Sequence, residues 1–181
     1  MSGSAPLSDR KSTTTITIRL NTKVMNILRA ESKNRDISLN MMINHILQRY
    51  VEWDMYGAKI GMISLLKPTV KELFKKLSKQ EIVELSTDIS KSATNDAALF
   101  MKKKMDLDSF LAWLEARMKN SSIETSHNVE GSVHTYILKH DLGENYSFFQ
   151  KTVLESIFSE VLGIHIDCSF SETLLSFKFS D

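Results

Sequence analysis

The side chains with ligating or nucleophilic chemistry are few, and their spacing constrains what they can do. His134 and His140 lie six residues apart. On an extended strand that is roughly 20 Å, too far to share one metal ion within a chain. His165 and Cys168 lie three apart and so point to opposite faces of a strand. Neither spacing matches a recognisable metal-binding pattern. A site bridging two subunits stays open, but no metal and no cofactor is expected. Cys168 is the single cysteine, so no internal disulfide can form, which fits a reducing compartment. By itself it reads as a small core residue. His134 beside Tyr136 and Asp141 makes no catalytic arrangement, and the six glycines are scattered, with no phosphate-cradling loop. The chain is not expected to be an enzyme.

Charge offers a second chemistry. Residues 1–56 hold 8 Lys and Arg against 5 Asp and Glu, residues 57–120 hold 12 against 8, and residues 121–181 hold 3 against 9. The net charges are therefore +3, +4 and −6, so a polyanion would meet the first two segments and avoid the third. Lys102, Lys103 and Lys104 form a run, with Lys75, Lys76 and Lys79 nearby in sequence. The run reads as a solvated helix face, with extra phosphate contact as the alternative. The aromatic group Tyr146, Phe148, Phe149 and Phe158 falls at helical spacing and reads as core, with a lined ligand pocket as the alternative.

These side chains need elements to hold them. Residues 1–12 are small and polar and read as a disordered arm without a secretion signal. Thr13 to Leu20 alternate strictly and are rich in β-branched residues, which predicts a strand. Ile16, Ile18 and Leu20 share one face; Thr15, Thr17 and Arg19 share the other. Asn21 is placed to cap a helix ending near Asn34, and Ser38 to cap a second. The second helix carries the stripe Leu39, Met42, Ile43, Ile46, Leu47 and Tyr50 at steps of three and four.

The middle, 57–120, reads as helical. Pro68 suits a first turn, Ser78 to Glu81 is a capping box, and Asp106 or Asp108 caps a last helix through Met118. From 121 the period changes. Strands are expected at 122–129 and 132–140 around a Glu130-Gly131 turn. A helix over 145–162 and strands at 164–170 and 173–179 complete a ββαββ pattern. The predicted class is α+β, with four segments: arm 1–12, βαα unit 13–56, helical middle 57–120 and small ββαββ domain 121–181.

A strand and two short helices bury too little apolar surface to fold alone. Pairing the strand antiparallel with its copy in a second chain would cover its edge and its apolar face. The expected dimer core is Ile16, Ile18, Leu20, Leu39, Ile43, Ile46 and Leu47. The outer face becomes a two-stranded polar ribbon of a size that fits the major groove.

The run Thr15-Ile16-Thr17-Ile18-Arg19-Leu20, a helix, a short turn and a helix opening at Ser38 resemble the ribbon-helix-helix family, the class of the MetJ, Arc and CopG DNA-binding proteins. The resemblance covers about forty residues, and Asn21 and Asn34 stand where the family often has proline and glycine. It implies that Thr15, Thr17 and Arg19 read base edges. It also implies that Ser38, Leu39 and Asn40 sit against a phosphate, a role that the free N–H groups of a helix start favour. Lys11 and Lys23 are further candidates for phosphate contact. The layout is also similar to that of nickel-responsive regulators, which join such a unit to a small α/β sensor domain, though the ligand spacing departs from theirs.

The expected function is a sequence-specific DNA-binding regulator, a cytoplasmic homodimeric repressor without membrane contact. Its C-terminal domain would take a ligand, a partner protein or further copies of the dimer. Two readings stay open beside it: an antitoxin-like module with a partner-binding tail, and an architectural DNA binder of low specificity.

Overall fold

A computed structural model describes residues 14–180, apart from the side chains of Lys91 and Ala93. The arm 1–12, Lys11 and Thr13 lie outside the described residues. Contacts divide the chain into two units, 1–47 and 48–181, where the sequence placed its borders after 56 and 120.

In the first unit, helix α1 (Thr22–Asn34) opens where the Asn21 side chain accepts the Lys23 N–H at 2.8 Å. The chain leaves α1 through Asp36, at φ +51, an aspartate tolerating the left-handed conformation that Asn34 was expected to supply. Helix α2 (Leu39–Arg49) begins at Ser38, whose hydroxyl accepts the Met41 N–H at 3.1 Å. It runs on through a wide π turn, Tyr50–Asp54, into the short α3 (Met55–Gly57).

The expected N-terminal βαα unit is not what the chain folds into. Residues 14–20 have no regular secondary structure, and among the described residues strands occur only from Glu124 onward. The reason lies in what a strand requires. Its backbone groups must pair with a neighbour, and the four strands among the described residues pair with one another near the C-terminus. Alternation shows which faces residues 14–20 would have, but supplies no partner within the chain.

The second unit combines helices with that sheet. Pro68 sits in the first turn of α4 (Lys67–Lys75). Helix α5 (Lys79–Ile89) opens on the complete capping box: Glu81 N–H donates to Ser78 Oγ at 3.2 Å, and Ser78 N–H to the Glu81 carboxylate at 2.7 Å. A π turn, Ser90–Thr94, leads into α6 (Asn95–Lys102), which ends at Lys103 with φ +68. Asp106 caps α7 (Leu107–Asn120) by accepting the Ser109 N–H at 2.9 Å.

Then come β1 (Glu124–Glu130), β2 (Val133–Lys139), α8 (Glu144–Ser156) with its π extension Ile157–Leu162, β3 (Asp167–Phe170) and β4 (Leu174–Ser180). The sheet is antiparallel, in the order β1-β2-β4-β3. Along β2 and β4 burial alternates, so Tyr136, Leu138, Leu175, Phe177 and Phe179 face inward. They share one apolar core with Ile82, Phe110, Trp113, Leu114 and Met118 from the helical middle and Phe149, Val153 and Phe158 from the α8 region.

Candidate nucleic-acid interface

In the first unit, Thr15, Thr17 and Arg19 are exposed, as is Lys23. Ser38 and Asn40 are exposed and Leu39 is half-buried at the start of α2. Ser38 Oγ takes the Met41 N–H, while the geometry of a first helical turn leaves the N–H groups of Leu39 and Asn40 without a carbonyl inside the helix. Those groups and the positive end of the helix dipole suit an anion. Residues 14–47 hold five basic against two acidic side chains, and Arg35 is paired with Glu31 at 2.6 Å.

Among its described residues the same unit has almost no interior. Met42 is its buried apolar side chain. Of the expected dimer-core residues, Ile16 is 67% exposed, Ile18 51% and Leu20 38%; Ile46 and Leu47 are about half exposed, and Leu39 and Ile43 are half-buried. Val24 and Ile27 on α1 and Met41 on α2 are exposed as well. Apolar exposure of this extent on so short a segment is unusual.

Three histidines of the second unit fall into two clusters, neither being a pair weighed from spacing. His140 is 7% exposed. Its Nδ1 accepts the Leu142 N–H at 3.2 Å, so Nε2 carries the proton and donates to Ser147 Oγ at 3.0 Å. Ser147 in turn donates to the Ser171 carbonyl at 2.6 Å. This chain ties the end of β2, the first turn of α8 and the β3–β4 turn together. Burial holds the imidazole below its ordinary pKa, opposed by the Asp141 charge and assisted by Lys67. With Ser147 fully buried, the pair has no access for substrate and serves as a structural latch.

His134, weighed with His140 from the spacing, meets His127 instead. Their nearest ring nitrogens, His127 Nε2 and His134 Nδ1, are 2.9 Å apart. His127 also lies over Tyr136, whose hydroxyl donates to Glu115 at 2.9 Å. Burial first, then the Glu115 hydrogen bond, pushes the Tyr136 pKa well above its ordinary value. The signal for the pair was present in the sequence: two histidines seven apart across a hairpin turn fall on the same face. His165 instead approaches Asp167 at 3.4 Å. Cys168 is half-buried, and burial, followed by the Glu155 charge, pushes its pKa to about 12. It stays a thiol rather than a thiolate ligand.

Among the described residues, no group of three or more His, Cys, Asp or Glu side chains is placed to hold a metal ion, and no helix is long and apolar enough to cross a membrane. Lys104 pairs with Asp106 at 2.6 Å, and Lys103 lies over the Phe100 ring. Two of the three lysines in that run thus have partners of their own. Compared with models of known protein families the chain matches none, and no curated protein matches it. The likeness of residues 13–53 to a DNA-binding family therefore rests on the residues themselves.

Proposed function

We propose that this chain is a double-stranded-DNA-binding transcriptional regulator that acts inside the cell as a homodimer through its first unit. The observation that carries this reading is the first unit's want of an interior. Ile16, Ile18, Leu20, Ile46 and Leu47 are left to solvent in one chain, and a second copy supplies the matching apolar surface by symmetry. Thr15, Thr17 and Arg19 of the same segment are exposed and stay open to DNA. Arg19 pairs with guanine in the major groove, and the threonines bond base edges or meet a thymine methyl. The start of α2, with Ser38, Leu39 and Asn40, takes a phosphate on each side and fixes the register, with Lys23 adding charge. Repression follows from occupying a promoter, and the second unit, acidic beyond residue 120, stays away from the duplex.

The test is a fluorescence-anisotropy titration of the full chain against a pool of genomic fragments and a scrambled control, at several salt concentrations. Wild type is expected to select particular fragments. Arg19→Ala is expected to lose that preference while remaining dimeric, with a discrimination loss of about 1–3 kcal/mol. Equal binding of every fragment with a steep salt slope would point to an architectural role. Absence of binding would overturn the reading.

A further inference from the structure

We propose that the outer edge of β1 is a docking site for an extended segment of another protein, basic at both ends and carrying small apolar residues at alternate positions, which adds a strand to the C-terminal sheet. This goes beyond the DNA reading and does not rest on it.

The edge comes from the topology. β1 and β3 are the outer strands of the order β1-β2-β4-β3. β1 has seven residues and β3 four, so β1 offers the longer ladder. Among the described residues the backbone of β1 pairs along its whole length with β2 and with no other strand. Every second residue of an antiparallel edge strand turns its N–H and C=O away from its neighbour. A row of such groups is a template for one more strand.

The two faces of β1 say what that strand carries. Toward the helices stand Thr125, His127 and Val129, with His127 opposite the inward Tyr136. Beside them runs a groove of about 390 Å³, lined by Glu115 and Lys119 of α7, by Ile123, and by Thr125 and His127 of β1. Its lining comes from α7, the turn after it and the edge strand, so it lies where the inward side chains of an added strand would fall, about 4.8 Å beyond β1. The His127 ring, stacked on Tyr136 at 4.0 Å, is a fixed part of that wall. Glu115 and Lys119 oppose each other in charge, and Glu115 already holds the Tyr136 hydroxyl. The groove therefore suits a neutral side chain, and Ile123 and the Thr125 methyl suit an apolar one of valine size.

On the outer face Glu124, Ser126, Asn128 and Glu130 alternate with these, and β1 holds no lysine or arginine. Lys139 answers Glu124 at 3.5 Å, whereas Glu130 is met by an amide, Asn128 donating to it at 3.0 Å. Opposite charges across neighbouring strands stabilise the pairing and like charges oppose it. A lysine or arginine opposite each glutamate, six positions apart, completes the pattern. Because a glutamate stands at either end, the charges match a strand running in either direction. The excess of 9 acidic over 3 basic residues beyond residue 120 draws such a segment in.

The probe is the acetylated and amidated peptide Lys-Val-Thr-Val-Thr-Val-Lys, titrated into the full chain and followed by nuclear magnetic resonance and amide hydrogen exchange. One peptide is expected per chain, with a Kd of about 100 µM or tighter and slowed exchange at alternate amides of β1. Glu124→Lys and Glu130→Lys should each weaken binding about threefold or more, while Glu172→Lys, in the β3–β4 turn, leaves it unchanged. A peptide with glutamate in place of both lysines should bind the Glu124→Lys/Glu130→Lys chain more tightly than it binds wild type. The exchange pattern of wild type tests the site even if a variant does not fold. Four results overturn the proposal: no saturable binding below about 1 mM, protection along β3 instead of β1, equal weakening by Glu172→Lys, or β1 amides equally protected without peptide, which would show that this chain or a second copy already fills the edge.

Discussion

Ile18→Ala gives the sharpest test of the dimer. In a single chain Ile18 is 51% exposed, so trimming it should barely affect that chain's own stability. In the proposed dimer it would be covered, and symmetry would count it twice. Fully burying an isoleucine side chain contributes about 2–3 kcal/mol. Covering the exposed half therefore contributes about 1–1.5 kcal/mol per copy, or about 2–3 kcal/mol per dimer. The dimer dissociation constant should rise about 30- to 150-fold. Sedimentation equilibrium over a wide concentration range measures this directly, and urea unfolding of the core above residue 48, followed by tryptophan fluorescence, should not move. A wild-type chain that stays monomeric at high concentration would refute the argument. So would an Ile18→Ala variant that dimerises as tightly as wild type.

Two further predictions concern the latch at His140. Ser147→Ala removes a fully buried hydroxyl and leaves His140 Nε2–H and the Ser171 carbonyl without their partner. The cost should be about 2–4 kcal/mol by denaturant unfolding, and a loss below about 0.5 kcal/mol would show that the network contributes little. Because burial holds the His140 pKa below its ordinary value, the unfolded chain binds this proton first as pH falls. The stability that His140 supplies is complete above the ordinary imidazole range. It diminishes as pH falls from there through the folded value. The urea midpoint of wild type should drop across that window; a His140→Gln variant should lack that component, and matching pH profiles would contradict it.

What the sequence disclosed was mostly short-range chemistry. Asn21, Ser38, Ser78 and Asp106 could be assigned as caps because a cap needs only a side-chain oxygen two or three residues before the N–H it accepts. The strands β2 and β4 were legible as well, since period-two alternation is local. The failures came from partners that alternation does not name. Residues 14–20 have a strand's pattern and no strand beside them. The hairpin turn was placed one residue early: Glu130 still pairs with Val133, and Gly131, at φ +65, opens the turn with Ser132. That shift makes His127 and His134 diagonal rather than opposite. The helix expected over 145–162 changes from α to π spacing at Ile157, a widening that depends on packing rather than composition. The approach of Ser147 to His140 and Ser171 depends on tertiary folding, and no local motif marks it.

The outer edge of the sheet also bears on how these molecules crowd together. Among the described residues β1 pairs on one side only, with β2, and an open strand edge is a template for fibrillar stacking. Its two ends are Glu124 and Glu130. In a fully overlapped antiparallel match of two β1 strands, Glu124 of each molecule falls opposite Glu130 of the other, so like charges meet at both ends. Lys139 tempers only Glu124, at 3.5 Å. The strand thus keeps its hydrogen-bonding capacity while its terminal carboxylates discourage copies of itself, a guard against aggregation at the high local concentrations of a crowded cell.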